Sequence, residues 1–312
     1  MRVLVFMLLG LSLSAAPVSF KAEIAPLLRA QCQTCHGARE AKGDYRVDSF
    51  TALMRALEDE PARVLPGKGG ESLLYQLLVT KDADERMPQK ANPLPAAAVA
   101  LVKRWIDEGA KFDGADPETS LAQVIPAPTH APAPKAYPRN MPITALAFSP
   151  DGTRLATGAL REILLWNVDD GKLIRRIPNM AQRTFALAWA LDGKTLFAGG
   201  GIPGELGEVR TFTPEGQLRL VVHRAGDVVL ETQLDANGTR LAVGDADNLI
   251  TIYDTSEFSR VRQIDNHADW VMALAFSADG THLVSASRDR SAKIFELKNG
   301  ETISTYGGHK TP

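Results

Sequence analysis

Residues 31–37 read Gln31-Cys32-Gln33-Thr34-Cys35-His36-Gly37, and this stretch decides how the first third of the chain is built. Two thiols one helical turn apart, with an imidazole directly after the second, match one demand closely. Both sulfurs can add to the vinyl groups on one edge of a haem while the imidazole reaches its iron. Both of the chain's two cysteines fall in the motif. A disulfide between them would close almost no loop and so stabilise little. A thioredoxin-like dithiol would follow a strand and open a helix, whereas Phe20, Ile24, Leu27 and Leu28 recur at helical spacing and run into Cys32. A structural zinc site needs about four ligands. The other histidines, His130, His223, His267, His282 and His309, all lie far downstream. The expectation is one covalently attached haem c, held by Cys32 and Cys35 with His36 on the iron.

Outward from the motif the pattern stays helical. Pro26 opens or kinks the helix that ends at Cys32, and a second helix runs from Ser49, a plausible N-cap, to Leu57. A third covers Ser72 to Leu78. A fourth follows Pro95, with Val99, Val102, Trp105 and Ile106 on one face and Gly109 as its stop. No segment before residue 113 reads as a strand. The second axial ligand is a choice among methionines. Met54 sits within a helical run beside Leu53 and Leu57, where core packing explains it. Met87 stands in the polar loop Asp82-Ala83-Asp84-Glu85-Arg86-Met87-Pro88, where an apolar side chain has no amphipathic reason to be, so Met87 is the candidate. An open or histidine-ligated iron is the alternative. Leu28, Trp105 and Ile106 are expected to line the slot between His36 and Met87, and Trp105 and Tyr75 to pack around the haem.

Between Asp113 and Pro142 lie seven of the 19 prolines, interspersed with alanines, which reads as a semi-rigid, solvated spacer. Beyond it the period changes. Blocks at residues 143–158 (ITALAFSPDGTRLATG), 185–200 (FALAWALDGKTLFAGG), 230–245 (LETQLDANGTRLAVGD) and 271–286 (VMALAFSADGTHLVSA) resemble one another. Their turn glycines, Gly152, Gly193, Gly238 and Gly280, are 41, 45 and 42 residues apart, the length of one four-stranded blade. Alternating apolar residues flank each Asp-Gly or Asn-Gly pair, the signature of a type I′ hairpin.

The N-terminus carries Arg2, an apolar run from Val3 to Leu13 and small residues at Ser14, Ala15 and Ala16, the plan of a secretory signal cleaved after Ala16. The run is too short to cross ~30 Å of hydrocarbon, and no later segment is apolar enough to span a membrane. Net charge is −2, which gives no electrostatic pull toward nucleic acid.

Residues 18–113 resemble the planctomycete-type cytochrome c domain. The likeness rests on Phe20, Ile24, Pro26, Leu27 and Leu28 before the motif, a proline-glycine loop ahead of Ser72 and Leu73, Met87-Pro88, and the closing run Trp105-Ile106-Asp107-Glu108-Gly109-Ala110. It implies a single small haem module, with Met87 at the family's Met-Pro position. The repeats resemble WD units: His267, Ser285 and Asp289 stand where that family links a histidine, a strand hydroxyl and a turn aspartate. Phe295 replaces the usual tryptophan, Asp247 matches the turn aspartate one unit earlier, and Trp166 matches the tryptophan of the first unit. These residues read as structural, not catalytic.

The expected architecture is therefore multidomain: a signal peptide (1–16), an all-α cytochrome c haem domain (17–113), a Pro/Ala-rich linker (114–142), and an all-β WD-type propeller portion (143–312). Four blades are visible. The sequence ends in Gly308-His309-Lys310-Thr311-Pro312, and Gly-His is how a WD unit begins, so the propeller is expected to be truncated. In function the expectation is an exported electron carrier, periplasmic or at the cell surface. Its partner would be another redox protein, docked through the propeller. A secreted scaffold whose haem senses redox state or gas is the alternative, and a haem peroxidase a weaker one, since no distal acid, base or substrate pocket is legible.

Overall fold

The computed structural model describes residues 16–37, 40–56, 63–89, 91–137 and 140–311, so the expected signal segment lies outside them apart from Ala16. No helix among the described residues is long and apolar enough to cross a membrane.

The helical unit begins with a π-helical turn, Phe20–Ile24, capped by the Ser19 hydroxyl, which accepts from the Ala22 N–H at 3.1 Å. It continues directly into α1 (Ala25–Gln31). Pro26 stands in the first turn of α1, where the winding changes from π to α. α2 (Phe50–Met54) starts after Ser49, whose hydroxyl accepts from the Ala52 N–H, and ends where Arg55 turns extended; Leu57 lies outside the described residues. α3 (Leu73–Val79) and α4 (Ala96–Asp107) follow Ser72 and Pro95 as the sequence suggests. Val102, Trp105 and Ile106 of α4 pack with Phe20, Ile24 and Leu28 in one buried core, and Gly109, at φ 101°, ends the helix.

One element was not legible. α5 (Leu121–Val124) lies in the stretch read as linker, yet Leu121 is fully buried in the helical core and its N–H donates to the Asp48 carbonyl at 2.8 Å. Four residues are too few to show a period.

The rest of the chain forms four antiparallel four-stranded meanders. The first holds β1 (Leu146–Phe148), β2 (Arg154–Ala159), β3 (Glu162–Asn167) and β4 (Leu173–Ile177). The second holds β5 (Arg183–Trp189), β6 (Leu196–Ile202), β7 (Leu206–Phe212) and β8 (Leu218–Ala225). The third holds β9 (Val229–Leu234), β10 (Arg240–Asp245), β11 (Leu249–Asp254) and β12 (Arg260–Asp265). The fourth holds β13 (Val271–Phe276), β14 (His282–Ser287), β15 (Ala292–Glu296) and β16 (Thr302–Tyr306). These are WD-type blades.

The blades stack in chain order, the first strand of each against the sheet before it, and among the described residues no comparable packing joins the fourth back to the first. Small residues make the seams. A Cβ on Gly158 would meet the Thr184 carbonyl at 2.9 Å, one on Gly199 would meet Val229 at 2.8 Å, and one on Gly244 would meet Val271 at 2.7 Å. Each glycine lets the next blade's first strand come close. The fourth blade has Ala286 at this position, and it is exposed.

The hairpin turns differ from expectation. Only the glycine of each Asp-Gly or Asn-Gly pair is left-handed, whereas a type I′ turn needs both residues there. In the first blade the reason is visible. Asp151 Oδ1 accepts from the Ser149 hydroxyl and the Thr153 N–H, which ties the aspartate into the turn and leaves Gly152, at φ 71°, to reverse the chain.

The WD network is formed as the sequence suggests. His267 Nδ1 donates to Asp289 at 2.7 Å, and the Ser285 hydroxyl donates to its Nε2 at 2.6 Å. Phe295 stands edge-on to the ring. Asp247 accepts from the Gly226 N–H, and Trp166 donates to the Thr157 hydroxyl.

The linker is not a free spacer. Glu162 and Glu208, both buried and each four residues before the Trp166 or Phe212 position, hold it on successive blades. Glu162 binds the Tyr137 hydroxyl and Arg176, which also takes the Pro134 carbonyl. Glu208 binds His130 and Arg210, which takes the Pro128 carbonyl. Proline lacks an N–H but keeps a good acceptor, and the arginines use it.

Candidate functional site

The motif sits where α1 ends. The N–H groups of Cys32 and Gln33 both donate to the Leu28 carbonyl, and those of Cys35 and His36 donate to the Cys32 carbonyl. This tight turn brings Cys32, Cys35 and His36 together in the lining of a cavity of about 420 Å³. The same cavity is lined by Met87, so the structure brings together all four residues that the sequence singled out. Such a volume falls within the range of ligand sites, ~300–1,000 Å³.

His36 is oriented from behind. Its Nδ1 lies 3.2 Å from the carbonyl oxygen of Tyr45. A carbonyl only accepts, so Nδ1 carries the proton and Nε2 keeps its lone pair for a metal. The Val47 N–H donates to the His36 carbonyl at 2.7 Å, and the Tyr45 hydroxyl donates to the Leu53 carbonyl at 2.8 Å, which fixes both ends of that segment. Burial pushes the Tyr45 hydroxyl pKa well above its ordinary value. Met87 is half-buried, and its N–H donates to the Leu77 carbonyl at 2.9 Å, which holds the loop against α3.

Neither cysteine is in a disulfide. Burial, and then the neighbouring Cys35, push the Cys32 thiol up to about 12. A redox dithiol needs a depressed nucleophilic thiol, so this environment argues against thioredoxin-like chemistry.

The cavity walls include Tyr45 and Val47 from the irregular stretch before α2, and Leu74, Leu77 and Leu78 on α3. Leu28, Trp105 and Ile106, expected in the slot, lie instead in the core behind it, each at most 2% exposed. Trp105 packs on Phe20 and donates to the Lys111 carbonyl, and Tyr75 lies under Lys103, so neither is part of the cavity wall. Sequence reasoning passed over the α3 leucines as cavity wall, although their i, i+3, i+4 spacing was a usable signal. No local signal pointed to the Tyr45 carbonyl.

Two thiols, an imidazole with one free nitrogen, a thioether and apolar walls fit a haem: donors for two thioether bonds and two axial positions share one apolar cavity.

The helical unit also touches the blades. Half-buried Arg29, one turn before Cys32, donates to the carbonyls of Val221 (3.1 Å), Val222 (2.6 Å) and Phe258 (3.1 Å). Arg260 returns a bond to the Ala30 carbonyl.

An α-helical unit with this cavity, followed by four-stranded blades, defines a cytochrome-type module fused to a repeat protein. Residues 32–90 match the Planctomycete cytochrome C family, and residues 136–167 and 258–296 match the WD domain, G-beta repeat. The chain thus carries a planctomycete cytochrome c domain joined to WD repeats.

Among curated proteins it is similar to the WD repeat-containing protein SL1-17 of Schistosoma mansoni, 31% identical over 164 residues, 52% of each chain. It is 27% identical over 193 residues to Protein HIR1 of Cryptococcus neoformans, covering 52% of this chain and 22% of that one. It is 29% identical over 168 residues to THO complex subunit 3 of Arabidopsis thaliana, 51% of this chain and 49% of that one. The chain spans about half the length, or less, of these relatives.

Proposed function

We propose that this chain is an exported mono-haem c-type cytochrome that passes single electrons, with its WD repeats forming a propeller surface for a partner protein. The observation that carries the reading is the convergence of Cys32, Cys35, His36 and Met87 on one apolar cavity. Haem supplies a one-electron ferric–ferrous couple when bound. Cys32 and Cys35 would hold it through thioethers, which keeps it attached in an exported protein. His36 Nε2 and Met87 Sδ would be the axial ligands. A thioether as one ligand favours the ferrous state and raises the potential, and two protein ligands leave no position for substrate or gas. The apolar part of the wall, Val47, Leu74, Leu77 and Leu78, would limit the water around a bound haem and the reorganisation that each electron transfer demands. That is a carrier's arrangement, not an oxidase's.

The haem unit runs from residue 17 to 113 with α5 packed on it, and the blades from 143 onward. Arg29 and the linker straps set the haem unit at a defined place on the repeats, so a partner bound by the blades would meet the haem in a fixed register. The redox partner is a protein, and the proposed site of action is the periplasm or cell surface. A redox titration combined with carbon monoxide exposure tests the assignment. A stable six-coordinate spectrum, closed to the gas in the ferrous state, supports the carrier; ready gas binding by the wild type would favour a sensor.

A further inference from the structure

One seam recurs between successive blades. The residue six positions after each turn glycine is a glycine that lies against the first strand of the next blade, and the residue it meets there stands nine positions before that blade's own turn glycine. Gly158 meets Thr184, Gly199 meets Val229 and Gly244 meets Val271, and all three entering residues are fully buried. Counted the same way, Ala286 is the receiving position of the fourth blade and Ile143 the entering residue of the first. Neither is covered: Ala286 is exposed, and Ile143 is 64% exposed.

The surfaces around both residues follow suit. Ala273, Ala275, Val284, Ala292, Ile294 and Tyr306 pair across the fourth blade on the Ala286 face, and none is charged. Val284 and Tyr306 are exposed there, whereas Ala156 and Ile177, which hold their places in the first blade, are sealed against the second. At the other end Leu146 is 61% exposed, while its counterpart in the fourth blade, Leu274, is 6% exposed. The two open faces are thus opposite halves of the joint that the chain already makes three times. An uncharged apolar face of this kind is stable when a matching one covers it, and a joint whose two halves lie at opposite ends of one chain is heterologous, able to close a ring between copies.

Resting on the reading of the repeats as propeller blades, we propose that two copies of this chain associate end to end, Ile143 of each entering the Ala286 position of the other. Two arcs of four blades then close one ring, at the upper end of the usual range of about four to eight blades. Such a pair carries two haem units on one ring.

The test is sedimentation velocity of the full chain over a range of concentrations, with folding checked by circular dichroism. Wild type is expected at twice the mass of one chain. Ile143→Lys and Ala286→Arg each put an unpaired charge into the joint, and each should raise the dissociation constant at least about a hundredfold. Both side chains are exposed within one chain, so neither change should alter the far-ultraviolet spectrum. Mixing the two variants is the decisive sample. The unchanged Ile143 of one still fits the unchanged Ala286 of the other, so the mixture should pair more tightly than either variant alone. A wild type that stays monomeric, pairing that survives both substitutions, or a mixture no better than its components overturns the proposal, and particles that grow beyond a pair contradict the closed ring. The haem reading stands or falls separately, because the redox titration is read equally well on a monomer.

Discussion

His36 Nδ1 and the carbonyl oxygen of Tyr45 lie 3.2 Å apart, which fixes the imidazole tautomer and turns Nε2 into the free nitrogen. The contact is to backbone, so the Tyr45 side chain is not needed for it. Tyr45→Phe removes the hydroxyl that donates to the Leu53 carbonyl and leaves that carbonyl short of a donor. The expected cost is about 1–2 kcal/mol of stability, read by denaturant melting, with the haem absorption spectrum unchanged. A changed spectrum would show that the side chain, not the carbonyl, orients His36.

Met87→Ala should keep the haem attached but lower the midpoint potential and open the ferrous protein to carbon monoxide. The thioether is the softer ligand and its loss vacates an axial position. A variant that keeps the wild-type potential and stays closed to the gas would place another residue on the iron.

Arg29→Met should uncouple the two halves. It leaves the Val221, Val222 and Phe258 carbonyls without their shared donor, an expected loss of about 1–3 kcal/mol per group left unsatisfied and shielded from water. Calorimetry should then resolve a second transition that the wild type lacks. Unchanged melting of both halves would show that the contact does not couple them.

The fourth blade should be sensitive to acid. Burial pushes the Asp289 carboxyl up, but hydrogen bonds from Ser291, His267 and the Ala268 N–H outweigh it and hold its pKa well below the usual carboxylate range. A depressed folded-state value contributes stability that is complete above the unfolded value, ~3.9, and is lost as pH falls below it toward the lowered one. Asp289→Asn should therefore destabilise the chain at pH 7, by about 1–3 kcal/mol, and much less at pH 2. Equal destabilisation at both pH values would assign the loss to packing instead of charge.

How much of this was readable beforehand follows from range. The cysteines and His36 fall within five consecutive positions, and the blades repeat at a fixed period, so short-range pattern was enough for both. Met87 was readable because an apolar residue in a polar loop is a local anomaly. The cavity wall was misplaced onto Leu28, Trp105 and Ile106, because periodicity reports that a face is buried without saying against what. α5 was too short to carry a period. Arg29 meets carbonyls some 190 residues or more away, and backbone acceptors have no sequence signature.

The central claim is a haem bound through Cys32 and Cys35. The measurement that tests it most directly is acid-acetone extraction of the exported, denatured protein, followed by the absorption spectrum of the pellet in alkaline pyridine. The account predicts that haem stays with the wild-type polypeptide, one per chain, and that no haem is held when Cys32 and Cys35 are both replaced by alanine. Haem that leaves the wild type with the solvent, or haem retained by the double variant, would contradict it.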